Sequence, residues 1–346
     1  MKLNFKHLDL QLAHPWAIAR TSGTNTAKVV VVELIAADGT VGLGEAAPVA
    51  RYKESPKTVE AFLKKVDARG LTFSDVEGSM AYLETISKHD MSAKCALNLA
   101  LLDGAAKKAK KPAYDLLGLG FREKQHVTSF TIGIDKPEVI RSKVQEAEPY
   151  PVLKMKVGVP DDKANLAALR EVAPNKLIRV DANEGWKTKE QALEMIEWLA
   201  QDGHVQYIEQ PLPASASAKD WVWLKQRSPL PIFADESYHS AEDIEEVAEC
   251  FHGVNVKLVK TGGVSGGFAA LQAARKAGLK TMIGCMIETS VLISAAAQLA
   301  ELCDYMDVDG HVLITNDPYV GVTVKNGLVS FAEAREPFGL RVCLRS

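Results

Sequence analysis

From Val127 onward, short runs of apolar residues alternate with longer amphipathic stretches. The runs have the length and composition of buried strands, and seven stretches with helical spacing separate them. Consecutive runs begin about 21–28 residues apart, which is the interval of successive strand–helix units. We therefore predict eight strands, which begin near Val127, Leu153, Leu177, Val205, Ile232, Gly253, Lys280 and Tyr305.

Eight strands with this period favour a closed α/β barrel over an open sheet. An open dinucleotide-binding sheet is the alternative, but no glycine fingerprint follows any early strand. Because the active site of such a barrel lies at the carboxyl ends of its strands, the last residues of each apolar run are candidates for chemistry.

The pattern before Val127 is different and predicts an antiparallel sheet followed by helices. Residues 28–36 (KVVVVELIA) predict a strand, Asp38-Gly39 a hairpin turn, and residues 41–46 the returning strand. Other patterns there predict a polar loop at 14–26, a second loop at 49–56, and helices at 58–66 and 92–110.

These patterns divide the chain into three parts. We predict an N-terminal α+β domain in residues 1–122 and the α/β barrel in residues 123–315. Residues 316–346 contain another short strand pattern with no strand–helix unit left to join, and we expect them to pack back on the first domain.

The composition is that of an ordinary soluble globular protein: 47% of the 346 residues are hydrophobic and 25% are charged. A net charge of −3 argues against a nucleic-acid partner. The N-terminus lacks a signal-peptide core, and the longest apolar stretch, near residues 290–303, is shorter than a membrane span. Five scattered cysteines fit neither a disulfide framework nor a zinc site. We therefore expect a reduced, cytoplasmic protein with no membrane partner.

Two lysines share one face of the second predicted barrel strand. In LKMKVG, strand alternation sends Lys154 and Lys156 to the same side. Adjacent ammonium groups repel, so each lowers the pKa of the other, and one of them could act as a base near neutral pH. A solvated lysine face is the alternative if this segment is considered alone.

Three consecutive predicted strands end in one carboxylate each: LIRVD at Asp181, VQYIE at Glu209 and IFAD at Asp235. Each acid alone could be the N-cap of the following helix. Three acids on neighbouring barrel strands repel one another, and a hard cation such as Mg²⁺ would neutralise them. Lys156 and Lys257, on the strands before and after, would face each other across the metal and could remove and return a proton on opposite faces of a carbon.

Together, LKMKVG, RVDANEGW, IEQPLP, ADES and NVKLVKTGG, in this order, resemble the muconate-lactonizing subgroup of the enolase superfamily. The resemblance covers nearly the whole chain. It implies an α/β fold, the enolase-like modified TIM barrel (β/α)7β, with an N-terminal α+β capping domain. It also implies Mg²⁺ as the cofactor, with the ligands Asp181, Glu209 and Asp235.

The resemblance also implies roles for the lysines. Lys156 and Lys257 would be the catalytic acid/base pair, which acts through an enediolate intermediate. Lys154 would support them as the first lysine of the K-x-K motif. Lys260, the second lysine of N-x-K-x-x-K, is the alternative to Lys257.

The eighth strand carries a second pair of acids. In MDVDG, alternation sends Asp307 and Asp309 to one side, where they would attract a cationic group of the substrate. This D-x-D is similar to that of the dipeptide epimerases, in which it holds the α-ammonium of the substrate. An Asp-Gly turn would explain Asp309 but not Asp307.

Two N-terminal segments, IARTSGT and PVARYKES, resemble the capping-domain loops that close over the substrate in bacterial L-Ala-D/L-Glu epimerases. In those enzymes a basic residue late in the first loop can bind the distal carboxylate. This chain has Thr21, Ser22 and Gly23 there, which leaves glutamate specificity open. Arg20 and Arg51 are the candidates for that contact.

We therefore expect a Mg²⁺-dependent dipeptide epimerase that exchanges the α-proton of the second residue in a dipeptide such as L-Ala-D/L-Glu. The resemblance allows a role in peptidoglycan recycling, and the large outer surface of a barrel leads us to expect a homo-oligomer. Alternatives in the superfamily are o-succinylbenzoate synthase, N-succinylamino acid racemase and muconate cycloisomerase, which the acid pair on the eighth strand disfavours. From other classes, a Schiff-base lysine aldolase and a non-catalytic binding protein are the alternatives.

Overall fold

A computed structural model describes residues 1–345 of the chain, apart from the side chain of Ser22. Its N-terminal region begins with a three-stranded antiparallel sheet in the order β1-β2-β3. The strands are β1 (Lys2–Ile18), β2 (Thr21–Ile35) and β3 (Val41–Ala46). Short helices follow: 3-10 turns at Ala50–Tyr52 and Ala68–Gly70, and α1 (Pro56–Leu63), α2 (Val76–Ile86), α3 (Met91–Lys108) and α4 (Ala113–Leu116).

The apolar run KVVVVELIA is continuous because β2 is buried on both faces. Val30, Val32 and Leu34 belong to the core of the N-terminal domain. Val29 and Val31 belong to the large core that includes the barrel. The strand therefore joins the two cores.

The predicted polar loop at residues 14–26 is wrong. β1 and β2 form one long hairpin whose pairing runs from Lys2 with Ile35 to Ile18 with Thr21, so that only Ala19 and Arg20 lie in its tip. Backbone pairing and polar contacts, rather than a buried apolar face, hold the end of this hairpin, so the hydrophobic pattern does not show it. Helix α2 was also not predicted from the hydrophobic pattern.

The predicted barrel is confirmed, and its parallel sheet contains eight strands of the described chain in sequential order. After the short strand β4 (His126–Val127), these are β5 (Phe130–Ile132), β6 (Val152–Lys156), β7 (Leu177–Asp181), β8 (Val205–Glu209), β9 (Ile232–Ala234), β10 (Gly253–Lys257), β11 (Lys280–Gly284) and β12 (Tyr305–Asp307). A parallel bridge joins Thr128, just before β5, to Met306 of β12, and so brings the first and last strands together. The first barrel strand thus begins at Phe130 rather than at Val127, whose strand joins a different sheet.

Helices cross over between successive strands of the barrel. They are α5 (Pro137–Glu146), α6 (Asp162–Val172), α7 (Lys189–Ala200), α8 (Ala218–Arg227), α9 (Ile244–Cys250), α10 (Leu258–Thr261), α11 (Val264–Lys276) and α12 (Ser290–Ala297). A 3-10 turn precedes α9, and two others lie at Ala300–Leu302 and Gly310–Val312. Within residues 1–345, no helix combines the length and the apolar composition that a membrane span requires.

The C-terminal segment contacts both regions of the chain. It contains β13 (Tyr319–Val320), β14 (Thr323–Lys325), β15 (Leu328–Ser330) and β16 (Cys343–Leu344). Strands β14 and β15 continue onto β4. The Leu340 amide donates to Asp103 on α3 at 2.7 Å, and the side-chain amide of Asn316 donates to the carbonyl of Asp9 on β1 at 2.9 Å. The five cysteines all lie within the described chain and are free thiols.

Candidate active site

Three carboxylates meet where the parallel strands end. Asp181 and Glu209 are the last residues of β7 and β8, and Asp235 directly follows β9. Each of these three acids offers one oxygen, and these oxygens lie within 4.8 Å of one another. All three residues are buried. Neighbouring parallel strands in register bring their ends together, so this cluster follows from the strand pattern.

Neighbouring side chains and backbone groups hold the three acids in place. The Asn255 amide donates to Glu209 Oε1 at 2.7 Å, and the backbone amide of Asn183 donates to Asp181 Oδ1 at 2.9 Å. Glu209 Oε2 is buried and has no donor at hydrogen-bonding angles, although Lys154 Nζ lies 2.8 Å away. Buried carboxylate oxygens that point at a common place are suited to a hard divalent cation.

The four predicted lysines lie against these acids. Lys156 Nζ lies 2.6 Å from Asp181 Oδ2, and Lys257 Nζ lies 2.7 Å from Asp235 Oδ2. These two lysines end β6 and β10, so they flank the three acid-bearing strands on either side. Lys154 Nζ contacts Asp307, Glu209 and Asp181 at 2.6, 2.8 and 3.2 Å. It therefore bridges three carboxylates.

Lys257 and Lys260 have different surroundings. Lys257 lines the main pocket, whereas the side chain of Lys260 is fully buried. The Lys260 ammonium donates to Asp235 Oδ1 at 2.6 Å and to the carbonyl of Asp235. Lys260 thus orients Asp235 from the buried side, while Lys257 faces the pocket that a substrate would occupy.

The electrostatics correct one expectation. Burial alone would lower the pKa of Lys154, but the charges of Asp307, Glu209 and Asp181 outweigh it and hold that pKa well above its usual value. Burial likewise acts to lower the pKa of Lys257, but the charge of Asp235 outweighs it, so this pKa is also raised. The expectation that repulsion within the K-x-K motif leaves a lysine with a lowered pKa is therefore wrong for Lys154, because its carboxylate neighbours outweigh that repulsion.

The pKa values of the acids differ with their neighbours. Burial and the charge of Asp181 raise the pKa of Glu209 to about 8. Burial also acts to raise the pKa of Asp181, but Lys156 and Lys154 outweigh it and hold that pKa below its usual value. The same site thus shifts the pKa values of two adjacent carboxyl groups in opposite directions.

Asp307, at the end of β12, and Asp309, two residues beyond it, face the same pocket. Asp307 accepts from Lys154 at 2.6 Å and from the Ser129 hydroxyl at 2.7 Å. Asp309 Oδ2 accepts from the Thr131 amide at 2.7 Å, while its Oδ1 has only the Cys285 thiol, at 3.9 Å. Asp309 therefore retains an oxygen that could receive a cationic group. Burial and Asp307 raise its pKa to about 7.

The pocket has a volume of about 510 Å³ and lies between the barrel and the N-terminal domain. Its walls combine lysines and acids of the strand ends with apolar residues such as Trp16, Ile18 and Val49. Thr21, Arg20 and Arg51 line it as well. Both guanidinium groups are already paired with barrel carboxylates, which weighs against the prediction that either binds a substrate carboxylate.

Sequence reasoning missed the carboxylates that receive these arginines, Glu184 and Glu236. Both are buried acids that follow predicted metal ligands, within DANE and DES. Because each of them lies within three residues of a strand-end acid, the sequence could have predicted that they also lie at this site. Cys285 also lines the pocket, and burial raises its thiol pKa well above the usual value, as in a packed thiol rather than a nucleophile.

Models of known families match both regions of the chain. Residues 4–118 match the mandelate racemase/muconate lactonizing enzyme N-terminal domain, and residues 139–333 match the enolase C-terminal domain-like family. The chain belongs to the enolase superfamily. Its mandelate racemase/muconate lactonizing domains confirm the fold that the motifs imply.

Several similar members of this superfamily are epimerases. An L-Ala-D/L-amino acid epimerase of Pedosphaera parvula is 66% identical over 99% of both chains. The substrate-liganded L-Ala-D/L-Glu epimerase of Bacillus subtilis has a TM-score of 0.91 and 26% identity, over 100% of this chain and 99% of its own. The dipeptide epimerase of Cytophaga hutchinsonii, complexed with Mg and D-Ala-L-Val, has a TM-score of 0.90 and 26% identity, over 99% and 95%.

Proposed function

We propose that this protein is a Mg²⁺-dependent dipeptide epimerase, an isomerase that exchanges the α-proton of the second residue. The observation that carries the proposal is one arrangement: three convergent carboxylates flanked by Lys156 and Lys257, in a pocket that also contains Asp309. The relatives and structural neighbours named above support it.

Asp181, Glu209 and Asp235 would hold the magnesium ion. Their chemistry fits: three carboxylate oxygens lie within 4.8 Å of one another, and Glu209 Oε2 lacks a donor at hydrogen-bonding angles. When bound, the ion supplies positive charge that stabilises the enediolate form of the substrate. Asn255 and the amide of Asn183 keep two of these acids in one orientation.

Lys156 and Lys257 would move the proton. Their positions at the ends of β6 and β10, on opposite flanks of the acids, suit removal from one face of the α-carbon and return on the other. Lys154 contacts three carboxylates and would position them while contributing positive charge beside the developing negative charge. Lys260 would position Asp235.

Asp307 and Asp309 would bind the α-ammonium of the dipeptide. Asp309 Oδ1 is the better placed acceptor, because both oxygens of Asp307 already accept from Ser129 and Lys154. A substrate that carries a succinyl group in place of the ammonium would bring a negative charge to these acids. This disfavours N-succinylamino acids and o-succinylbenzoate precursors as substrates.

The first residue would be L-Ala and the second would vary, as in the name of the relative from Pedosphaera parvula. Thr21 at the hairpin tip supplies no charge that would select glutamate, and the adjacent walls include Trp16, Ile18 and Val49. We therefore infer that L-Ala-L-Glu is one of several substrates. A role in peptidoglycan recycling, a cytoplasmic location and a homo-oligomeric state stay predictions.

Deuterium incorporation in D₂O tests this proposal. The protein with Mg²⁺ would be incubated with L-Ala-L-X dipeptides, and the mass and the configuration at the second α-carbon would be measured. We expect one deuterium per molecule together with inversion, and loss of both after EDTA treatment.

Two results would reject the proposal. Exchange with N-succinylamino acids but not with any dipeptide would show that Asp307 and Asp309 do not bind an α-ammonium. A covalent adduct trapped by borohydride at Lys156 or Lys257 would favour the lysine aldolase.

A further inference from the structure

We propose that Arg20 and Arg51 are positioning residues: with Glu184 and Glu236 they form an ion-pair latch that holds two segments of the N-terminal domain over the pocket. The latch takes both guanidinium groups out of substrate recognition. The activity readouts below rest on the proposed function, whereas the latch geometry does not.

The contacts join two segments of the N-terminal domain to two barrel loops. Arg20, in the tip of the β1–β2 hairpin, donates to Glu184 Oε2 at 2.9 Å, to Glu236 Oε1 at 2.5 Å and to the carbonyl of Asn183 at 2.9 Å. Arg51, in the following 3-10 turn, forms a bidentate pair with Glu184, in which Nε and Nη2 each lie 2.9 Å from an oxygen. Glu184 therefore receives both segments.

Burial decides between a latch and a ligand role. The side chains of Glu184 and Glu236 are 7% and 1% exposed, whereas those of Arg20 and Arg51 are 26% and 38% exposed. If Arg20 turned toward a substrate carboxylate, the buried Glu236 would lose the arginine that donates to it, and if Arg51 did so, the buried Glu184 would lose its bidentate partner. Either change breaks an ion pair to a buried acid, which is strongly unfavourable, so the latch is favoured.

The barrel loop has a backbone conformation that serves this contact. Asn183 and Glu184 have φ values of 43° and 65°, a left-handed conformation that residues other than glycine rarely adopt. The carbonyl of Asn183 and the side chain of Glu184 both point to Arg20 as a result. A Cβ at Gly158, which follows the Lys156 strand, would lie 2.9 Å from the Cβ of Ala19 in the hairpin tip. The tip thus approaches the barrel too closely for a larger residue.

The latch has a consequence for specificity. The pocket wall contains several lysines and arginines. Among its described residues, Lys28 is the one cation for which the structure shows neither an ion pair nor a hydrogen bond. Because Arg20 and Arg51 are paired with barrel carboxylates, a substrate with an acidic second residue gains nothing from either arginine. Removing either arginine should affect acidic and apolar dipeptides equally, because it loosens the cover of the whole pocket.

A double-mutant cycle with Arg51→Met and Glu184→Gln tests the latch. For both L-Ala-L-Glu and L-Ala-L-Leu, each single variant should lower kcat/KM by about tenfold or more, and the double variant should lose no more than Glu184→Gln, which already releases both arginines. The matched control is Arg141→Met with Glu171→Gln, an exposed pair on the outside of the barrel, which should leave kcat/KM unchanged. A loss in Arg51→Met that is confined to L-Ala-L-Glu would overturn the latch.

Hydrogen–deuterium exchange of the free protein separates the latch from the proposed function. Amides of residues 14–26 should exchange faster in Arg20→Met and in Glu184→Gln than in the native protein or the Arg141→Met control. Faster exchange without turnover of any dipeptide would support the latch and reject the epimerase. Unchanged exchange in both variants would overturn the latch even if the epimerase activity is present.

Discussion

The strand ends of the barrel and the cover above them are built on different principles. Asp181, Glu209 and Lys257 each lie at the end of a strand, so local pattern and register place them. Arg20 and Arg51 lie in a hairpin tip and a short turn, and they reach their partners more than 130 residues away in sequence. The strand ends assemble the chemistry, whereas the cover encloses it.

This difference shows where a change should matter most. A strand-end acid is fixed by backbone hydrogen bonds on both sides, so its substitution should remove chemistry without disturbing the fold. A cover residue acts through a contact between regions, so its substitution should change enclosure or selectivity by smaller factors. The following variants test that ordering.

Glu209→Gln should have the largest effect, because it removes charge from the centre of the acid cluster while keeping the shape of the side chain. We expect kcat to fall by about a thousandfold or more and Mg²⁺ affinity to drop, with an unchanged circular dichroism spectrum. Titration calorimetry with Mg²⁺ and epimerisation assays would measure both. Glu197→Gln, on the exposed face of α7, is the control. Full activity of the EDTA-treated native protein would contradict the metal assignment.

Lys257→Ala should abolish epimerisation with a loss of about 10²–10⁴-fold. Lys156 would remain, so α-proton exchange in D₂O should persist for one enantiomer of the second residue and vanish for the other. Lys260→Met serves as the comparison, and it should retain exchange from both enantiomers at a reduced rate, since Lys260 contacts Asp235 from the buried side. Two-way epimerisation in Lys257→Ala would transfer the acid/base role to Lys260.

The same division explains what could be predicted from the sequence. Strand ends follow from periodicity, so the sequence could predict the eight-strand barrel and the convergence of Asp181, Glu209 and Asp235. The hairpin end at residues 14–26 was not, because its strands pair through the backbone and bury few side chains. Glu184 could be placed near the site, but its pairing with Arg51 depends on a contact between two domains that no local pattern encodes.

Thr21→Arg should sharpen the comparison by changing selectivity alone. Thr21 is exposed, lines the pocket and takes no part in the latch, so an arginine there would add a cation without a barrel partner. We expect the ratio of kcat/KM for L-Ala-L-Glu to that for L-Ala-L-Leu to rise by about tenfold. Thr40→Arg, in the β2–β3 turn, should leave the ratio unchanged. An equal loss for both substrates would mean that the tip serves closure and not selectivity.

Glu288→Gln tests stability at the junction of the two regions rather than chemistry or selectivity. Burial and the charge of Glu45 on β3 raise the pKa of Glu288 from 4.5 to about 8. Between these values the carboxyl group is protonated in the folded chain but ionised in the unfolded one, so folding takes up a proton and stability falls as pH rises.

Glutamine at position 288 removes this dependence of stability on pH. The free energy of unfolding of the variant, relative to the native protein, should therefore increase by about 3 kcal/mol between about pH 5.5 and about pH 8. Urea unfolding at both pH values measures the difference, and Glu77→Gln on the exposed face of α2 is the control. A difference that is constant with pH would show that Glu288 is ionised in the folded chain and that a nearby cation compensates it.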